Sequence, residues 1–138
     1  MCISSVTCSD QLIGCVSIYG DCYIHHTSPK SIFFLGSYSK KISSNVVQIF
    51  ENSSIRQLVL GSYSVMGVSD LGQVWVCGQP YYLGLGKHDE KDKSLVSPSI
   101  IPSLAGKYVK YLVCNARHAL AITSKIDIMY IFFLISFF

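Results

Sequence analysis

Charge is scarce in this sequence. Only 14% of its 138 residues are Asp, Glu, Lys or Arg, and the basic residues are spread along the chain without a cluster. A nucleic-acid-binding arm needs clustered Lys and Arg, so we expect no direct contact with nucleic acid. The N-terminal residues MCISSVTC also lack the basic region and the apolar core of about 7 to 15 residues that mark a secretory leader. We therefore expect an intracellular protein of the cytoplasm or the nucleus.

Paired metal ligands are missing as well. The cysteines stand at positions 2, 8, 15, 22, 77 and 114, and no two of them form a Cys-x-x-Cys pair. His25 and His26 are adjacent, and neighbouring residues of a strand point to opposite faces, so the two cannot easily hold one ion. The sequence predicts no metal, no other cofactor, and cysteines that serve as small buried hydrophobic residues.

What the sequence does have is an internal repeat. A shift of 52 residues places Ile3 on Ile55 and Gly20 on Gly72, and a shift of 54 residues places Val109 on Ile55. The same alignment places Cys8 on the apolar position of Leu60, and the segment FFLG at 33–36 matches YYLG at 81–84. The chain therefore contains three copies of one repeat, at 1–54, 55–108 and 109–123, and the third copy is incomplete.

Each copy alternates strand-forming runs with turn residues. The runs of the middle copy are VMGVS, QVWVC, SPSII and YVKYLVC, and SDLG at 69–72 predicts a hairpin turn. Four short strands in a repeat of about 50 residues are typical of a β-propeller blade, and no stretch has helical periodicity. The predicted fold class is all-β, a partial β-propeller of about two to two and a half four-stranded blades. The predicted core of the best-matching blade comprises Val65, Val68, Val74, Trp75, Val76, Ile100, Leu112 and Leu120.

The repeat resembles that of the regulator of chromosome condensation (RCC) family. The resemblance is carried by GSYSVMGVSDLGQVWVCG at 61–78, YYLGLG at 81–86 and SPSIIPSLAGKYVKYLVCNARHALAIT at 97–123. These segments follow the family order of a glycine motif, an apolar strand, a glycine turn, an aromatic strand, a Gly-Leu-Gly loop and a proline-led strand. Several positions depart from it. The motif's histidine survives only as His118, with Ser64 and Leu12 at the matching places. Asn115 replaces a glycine, and Cys77 stands where the family usually has tryptophan.

The resemblance implies one of two functions. Most family members are protein-binding platforms, and some are exchange factors for a Ran-type small GTPase. Because family propellers close about seven blades, the chain resembles a fragment of a larger propeller or a partner for other chains. We predict a non-enzymatic protein-binding or scaffold module with a protein partner, and we keep the guanine-nucleotide exchange factor as the alternative.

Candidate partner-binding residues follow the aromatic strand of the middle copy. Tyrosine combines apolar area with a polar tip, so the tyrosine pair could anchor a partner, but packing within the blade is the favoured interpretation. The run KHDEKDK at 87–93 alternates in sign, which favours a solvated loop over a partner contact. No catalytic residue is predicted. The candidates are Tyr81, Tyr82, Lys87, His88, Asp89 and Glu90.

The residues after the third copy break the pattern. Ile126 stands where Gly20 and Gly72 stand, and a β-branched residue does not easily take a positive φ. The run IMYIFFLISFF at 128–138 has no alternation, no charge and no closing glycine. It is also shorter than the about 20 residues of a membrane-spanning helix. We therefore predict an atypical apolar tail at 124–138 and no membrane span.

Overall fold

The computed structural model describes residues 2–80, 83, 95–115, 118–124 and 128–131, the last four by their backbone alone. Within these residues, twelve strands form three antiparallel sheets that follow one another along the chain. Sheet 1 contains β1 (Ile3–Cys8), β2 (Leu12–Ser17), β3 (Cys22–His26), β4 (Lys40–Lys41) and β5 (Val46–Ile49). Sheet 2 contains β6 (Ile55–Leu60), β7 (Ser64–Ser69), β8 (Val74–Gly78) and β9 (Val96–Ile100). Sheet 3 contains β10 (Val109–Cys114), β11 (Ala119–Thr123) and β12 (Ile128–Ile131).

The first three strands of each sheet lie side by side in chain order, as expected of propeller blades. Their strand orders are β1-β2-β3-β5-β4, β6-β7-β8-β9 and β10-β11-β12. The 3-10 helical segments Pro29–Tyr38 and Pro102–Leu104 lie in connections between strands, and the first is kinked at Gly36. The prediction of an all-β partial propeller is confirmed. The sheets differ from the expected four strands each, since β4 adds a fifth strand to sheet 1.

The repeat alignment is reproduced in the strand register. The first hairpin of each sheet begins with an equivalent pair: Ile3 with Ser17, Ile55 with Ser69 and Val109 with Thr123. A bulge follows that pair in all three hairpins. Register is set by which side chains face the core, so equivalent sequence positions adopt equivalent pairings.

The chain beyond the third copy continues sheet 3 in this register. Ala121 pairs with Met129 as Gly67 pairs with Trp75 in sheet 2. The apolar residues there have strand propensity whatever their origin. Most of the segment 124–138 lies outside the described residues, so the atypical tail stays a prediction.

The turn between the second and third strands of sheets 1 and 2 contains a glycine whose carbonyl is hydrogen-bonded to the first strand of the next sheet. The Ile55 amide donates to the Gly20 carbonyl at 3.1 Å, and the Val109 amide donates to the Gly72 carbonyl at 2.9 Å. Both glycines have positive φ, 85° and 72°. A Cβ at Gly20 would lie 2.8 Å from Ser54 Cα, so a larger residue would collide with the backbone that enters sheet 2.

The core consists of two apolar layers, one on each side of sheet 2. The layer between sheets 1 and 2 includes Val16, Ile24, Phe34, Leu58 and Val65. The layer between sheets 2 and 3 includes Val59, Met66, Val68, Leu112 and Ala121. Since sheet 2 is covered on both faces, β7 is buried along its whole length.

Five of the eight residues predicted for the core of the middle blade are confirmed as buried, and three are partly exposed. Trp75 is half-buried and packs with the layer between sheets 1 and 2. Ile100, expected inside, is 38% exposed because it ends the edge strand β9. Leu120 is half-buried because it lies on the uncovered face of sheet 3. The fully or almost fully buried members are Val65, Val68, Val74, Val76 and Leu112.

The burial of a cysteine depends on the face of the sheet on which it lies. Cys22 and Cys77 are buried as predicted, whereas Cys2 and Cys8 are exposed. Cys8 is equivalent to the buried Leu60, but it lies on the outer face of sheet 1, where the described chain supplies no covering sheet. The expectation that all the cysteines are buried is therefore wrong for these two.

Candidate functional site

Three equivalent turns meet at one edge of the molecule. Each turn joins the first and second strands of a sheet, and each is closed by one backbone hydrogen bond: Ser9 to Leu12, Gly61 to Ser64 and Asn115 to His118, at 2.8–2.9 Å from amide to carbonyl. The first strands β1, β6 and β10 face one another between the sheets, so their turns come together. They surround a cleft of about 410 Å³.

The cleft is lined mainly by uncharged hydrogen-bonding groups. Hydroxyls and amides come from Ser9, Gln11, Ser31, Ser62 and Asn115. Of the described residues that line it, Asp10 is the only charged one. Donors and acceptors with one carboxylate suit the backbone of a peptide and a side chain that carries a positive charge.

The 3-10 segment Pro29–Tyr38 supplies an aromatic margin to the cleft. The segment begins where the Ser28 hydroxyl accepts from the Lys30 amide, and the Ser31 hydroxyl donates to the Gln11 side-chain oxygen at 3.0 Å. Phe33 is 52% exposed, and its ring meets that of Tyr63 edge-on, with centroids 5.8 Å apart. The hydrogen bond and the ring contact hold an exposed aromatic pair beside the cleft.

Two thiols line the cleft, Cys8 and Cys114, and the Cys114 thiol is not activated as a nucleophile. Burial raises the pKa of Cys114 to about 11, so this thiol is neutral at ordinary pH. Within the described part of the chain, no group of three or more His, Cys, Asp and Glu residues is arranged to hold a metal ion. His25 is exposed and His26 is buried, on opposite faces of β3.

The candidates named from the sequence, Tyr81, Tyr82, Lys87, His88, Asp89 and Glu90, lie outside the described residues and stay predictions. The first described residue within that connection, Leu83, is fully buried, as is Leu35 at the matching position of copy 1. The match between FFLG and YYLG therefore extends to burial.

Phe33, Tyr63 and Gln11 were not among the sequence candidates. The FFLG segment contained a signal for Phe33, because Phe33 is the copy 1 equivalent of Tyr81. Its neighbour Phe34 is fully buried, so only one residue of the aromatic pair is displayed. The sequence gives no comparable signal for Tyr63 or Gln11, which belong to turns of different copies.

Comparison with known proteins rests on structure. No family model and no curated protein matches the sequence. Human WBSCR16 superposes with a TM-score of 0.68 and 23% identity, covering 93% of this chain and 33% of that chain. The chain has the fold of part of an RCC1-like β-propeller.

Two yeast structures agree with that fold. Prp20p of Saccharomyces cerevisiae, a protein studied for its binding to Gsp1p and histones, has a TM-score of 0.62, 13% identity and coverage of 88% of this chain and 31% of that chain. Yeast RCC1 (Prp20), in a structure with Kap60, superposes with a TM-score of 0.63 and 13% identity, covering 89% of this chain and 30% of that chain. The chain spans about a third of the length of each of these proteins.

None of the helical segments in the described part of the chain has the length and apolar character needed to cross a membrane.

Proposed function

We propose that the chain is a non-enzymatic protein-binding module of the RCC type and that its contact surface is the cleft with the aromatic pair Phe33 and Tyr63. The observation that carries the proposal is the exposed ring of Phe33, held against Tyr63 at the margin of a polar cleft. Aromatic residues beside groups that can exchange hydrogen bonds are the usual anchors of a protein interface.

The partner we propose is a protein segment that carries Lys or Arg. The cleft offers the Asp10 carboxylate to a donor-rich side chain, beside the neutral amide group of Gln11. Charge-assisted hydrogen bonds to a carboxylate are stronger than those between neutral groups, so Asp10 would favour basic segments over acidic ones. Partners of this class agree with the fold, since Prp20p is studied for its binding to Gsp1p and histones.

The test compares partner capture by two variants in cells. The cleft variant combines Asp10→Lys with Phe33→Ser, and the control is Leu71→Ser, which removes an apolar side chain that is 74% exposed at the opposite edge. Proximity labelling with the wild-type chain should identify proteins that the cleft variant loses and the control keeps. Circular dichroism confirms that both variants are folded. A set of partners unchanged by the cleft variant would contradict the proposal.

The alternative is an exchange factor for a Ran-type small GTPase, and the structural likeness to Prp20p favours it. The decisive assay adds the chain to such a GTPase loaded with a fluorescent GDP analogue and excess unlabelled nucleotide. The scaffold function predicts that GDP leaves at its intrinsic rate. Accelerated release, lost on truncation of an exposed residue of the chain, would establish the alternative.

A further inference from the structure

In the part of the chain that the structure describes, sheets 1 and 3 each have one face covered by sheet 2 and one open apolar face. The open face of sheet 1 carries Val6, which is 67% exposed, and Ile13, which is 53% exposed. The open face of sheet 3 carries Tyr111 at 62% and Val113 at 57%. Contiguous apolar surface on a folded protein is typical of an interaction site.

The residues of sheet 2 at the equivalent positions are buried. Val6 corresponds to Leu58, which is 2% exposed and faces sheet 1, and Val113 corresponds to Val59, which is 7% exposed and belongs to the layer facing sheet 3. The two open faces are therefore the equivalents of the two sides of a sheet-to-sheet interface that occurs twice within the chain.

The contacting strands are also equivalent in the two internal interfaces. β6 packs against β1 and β2, and β10 packs against β6 and β7. In both cases the first strand of one sheet packs against the first two strands of the preceding sheet. A further sheet packed in the same way would place its first strand against β10 and β11. β1 is such a strand, and its outer face is open.

A basic side chain stands at the corresponding point of sheet 3. In sheet 2, Arg56 reaches across the interface and donates to the carbonyls of Val109 and Lys110. Lys110 occupies the place of Arg56 in copy 3 and is exposed. It is placed to donate to the carbonyls at the start of a β1 strand packed on sheet 3.

We propose that the chain associates head to tail with a second copy of itself, the open face of sheet 3 packing on the open face of sheet 1. The occupant is a second copy because both sides of the required interface are present on this chain and are built as in its internal interfaces. The contact joins two different faces, so the product is a ring or an open chain of copies. The proposal does not depend on the function assigned to the cleft.

The test blocks one face at a time. Val6→Glu places a charge on the open face of sheet 1, and Val113→Glu places one on the open face of sheet 3. Both positions are exposed in the single chain, so both variants should fold, which circular dichroism checks. Leu71→Glu, at a 74% exposed turn away from both faces, is the matched control.

Sedimentation velocity at increasing concentration gives the result. The wild-type chain and Leu71→Glu should rise above the 15.3 kDa of one copy. Each blocked variant alone should stay at one copy, and an equimolar mixture of the two should form a dimer and nothing larger, since only one complementary pair of faces remains. A wild-type chain that stays monomeric, a blocked variant that self-associates, or a mixture that does not would overturn the proposal.

Discussion

Sheet 2 and its two neighbours are built from the same repeat, yet equivalent residues differ widely in burial. Leu58 in sheet 2 is 2% exposed, whereas Val6 at the same position of sheet 1 is 67% exposed. The strand pairings around both residues are the same. Burial in this fold therefore depends on whether a sheet lies on each side, and each strand supplies only the residues that could be covered.

The largest expected difference between the sheets comes from truncating this matched pair. Leu58→Ala should lower the free energy of unfolding by about 3 to 4 kcal/mol, because it opens a cavity in a layer packed from both sides. Val6→Ala should lower it by about 0.5 kcal/mol. Urea titration at low protein concentration, where the chain is monomeric, measures both. Equal losses would show that sheet 1 is covered in solution.

A second contrast concerns the glycines with positive φ. Gly20→Ala should lower stability by about 2 to 3 kcal/mol, because the added Cβ strains the backbone and would lie 2.8 Å from Ser54 Cα. Gly106 also has positive φ, 75°, but a Cβ there would meet nothing within 4 Å. Gly106→Ala should therefore lower stability by about 1 kcal/mol only, from the backbone conformation alone. Thermal unfolding of both variants separates the two contributions, and equal shifts would mean that close approach of sheet 2 does not matter.

A polar clamp spans the interface between sheets 2 and 3, and the equivalent residue at the interface between sheets 1 and 2 cannot form it. The Gln57 side chain donates to the Leu112 carbonyl at 2.7 Å and accepts from the Leu112 amide at 3.0 Å. Its equivalent in copy 1 is Ser5, which is too short for such a reach. Gln57→Ala should lower stability by about 1.5 kcal/mol, since both backbone groups lose a partner.

Gln48→Ala is the control for the clamp. Gln48 is also half-buried, but it lies on β5, away from this interface. Amide hydrogen exchange should show faster exchange of the Leu112 amide in Gln57→Ala and no change there in Gln48→Ala. If the Leu112 amide exchanges at the wild-type rate in both variants, the Gln57 side chain does not stabilise this interface.

Much of this arrangement was predictable from the sequence. Strands could be located because short runs of β-branched, aromatic and aliphatic residues end at turn residues, and the equivalent register of the three hairpins agrees with the repeat alignment. The exposure of Cys8 and Ile100 could not be predicted, because a pattern assigns a side chain to a face without indicating what covers that face. The cleft could not be predicted either, since Asp10, Tyr63 and Asn115 belong to three turns that only the packing of the sheets brings together.

The smallest expected effect separates the buried thiols from the exposed ones. Burial raises the pKa of Cys77 from 9.0 to about 12. The pKa of Cys22 is raised from 9.0 to about 12 as well, and burial is the largest cause there. When the pH rises above 9.0, the unfolded chain loses these protons before the folded chain does. The stabilising contribution is therefore complete below pH 9.0 and is lost as the pH rises toward about 12.

The loss should amount to about 0.8 kcal/mol per buried thiol at about pH 9.5. Because lysines and tyrosines also titrate in alkaline solution, the informative quantity is the pH dependence of each variant compared with that of the wild type. Urea unfolding of the double variant Cys22→Ala and Cys77→Ala should show a smaller decrease in stability between neutral pH and about pH 9.5. Cys8→Ala, which removes an exposed thiol, should follow the wild-type decrease. If the double variant declines as steeply as Cys8→Ala, the thiols of sheets 1 and 2 are not shielded from water as the packing of the two sheets requires.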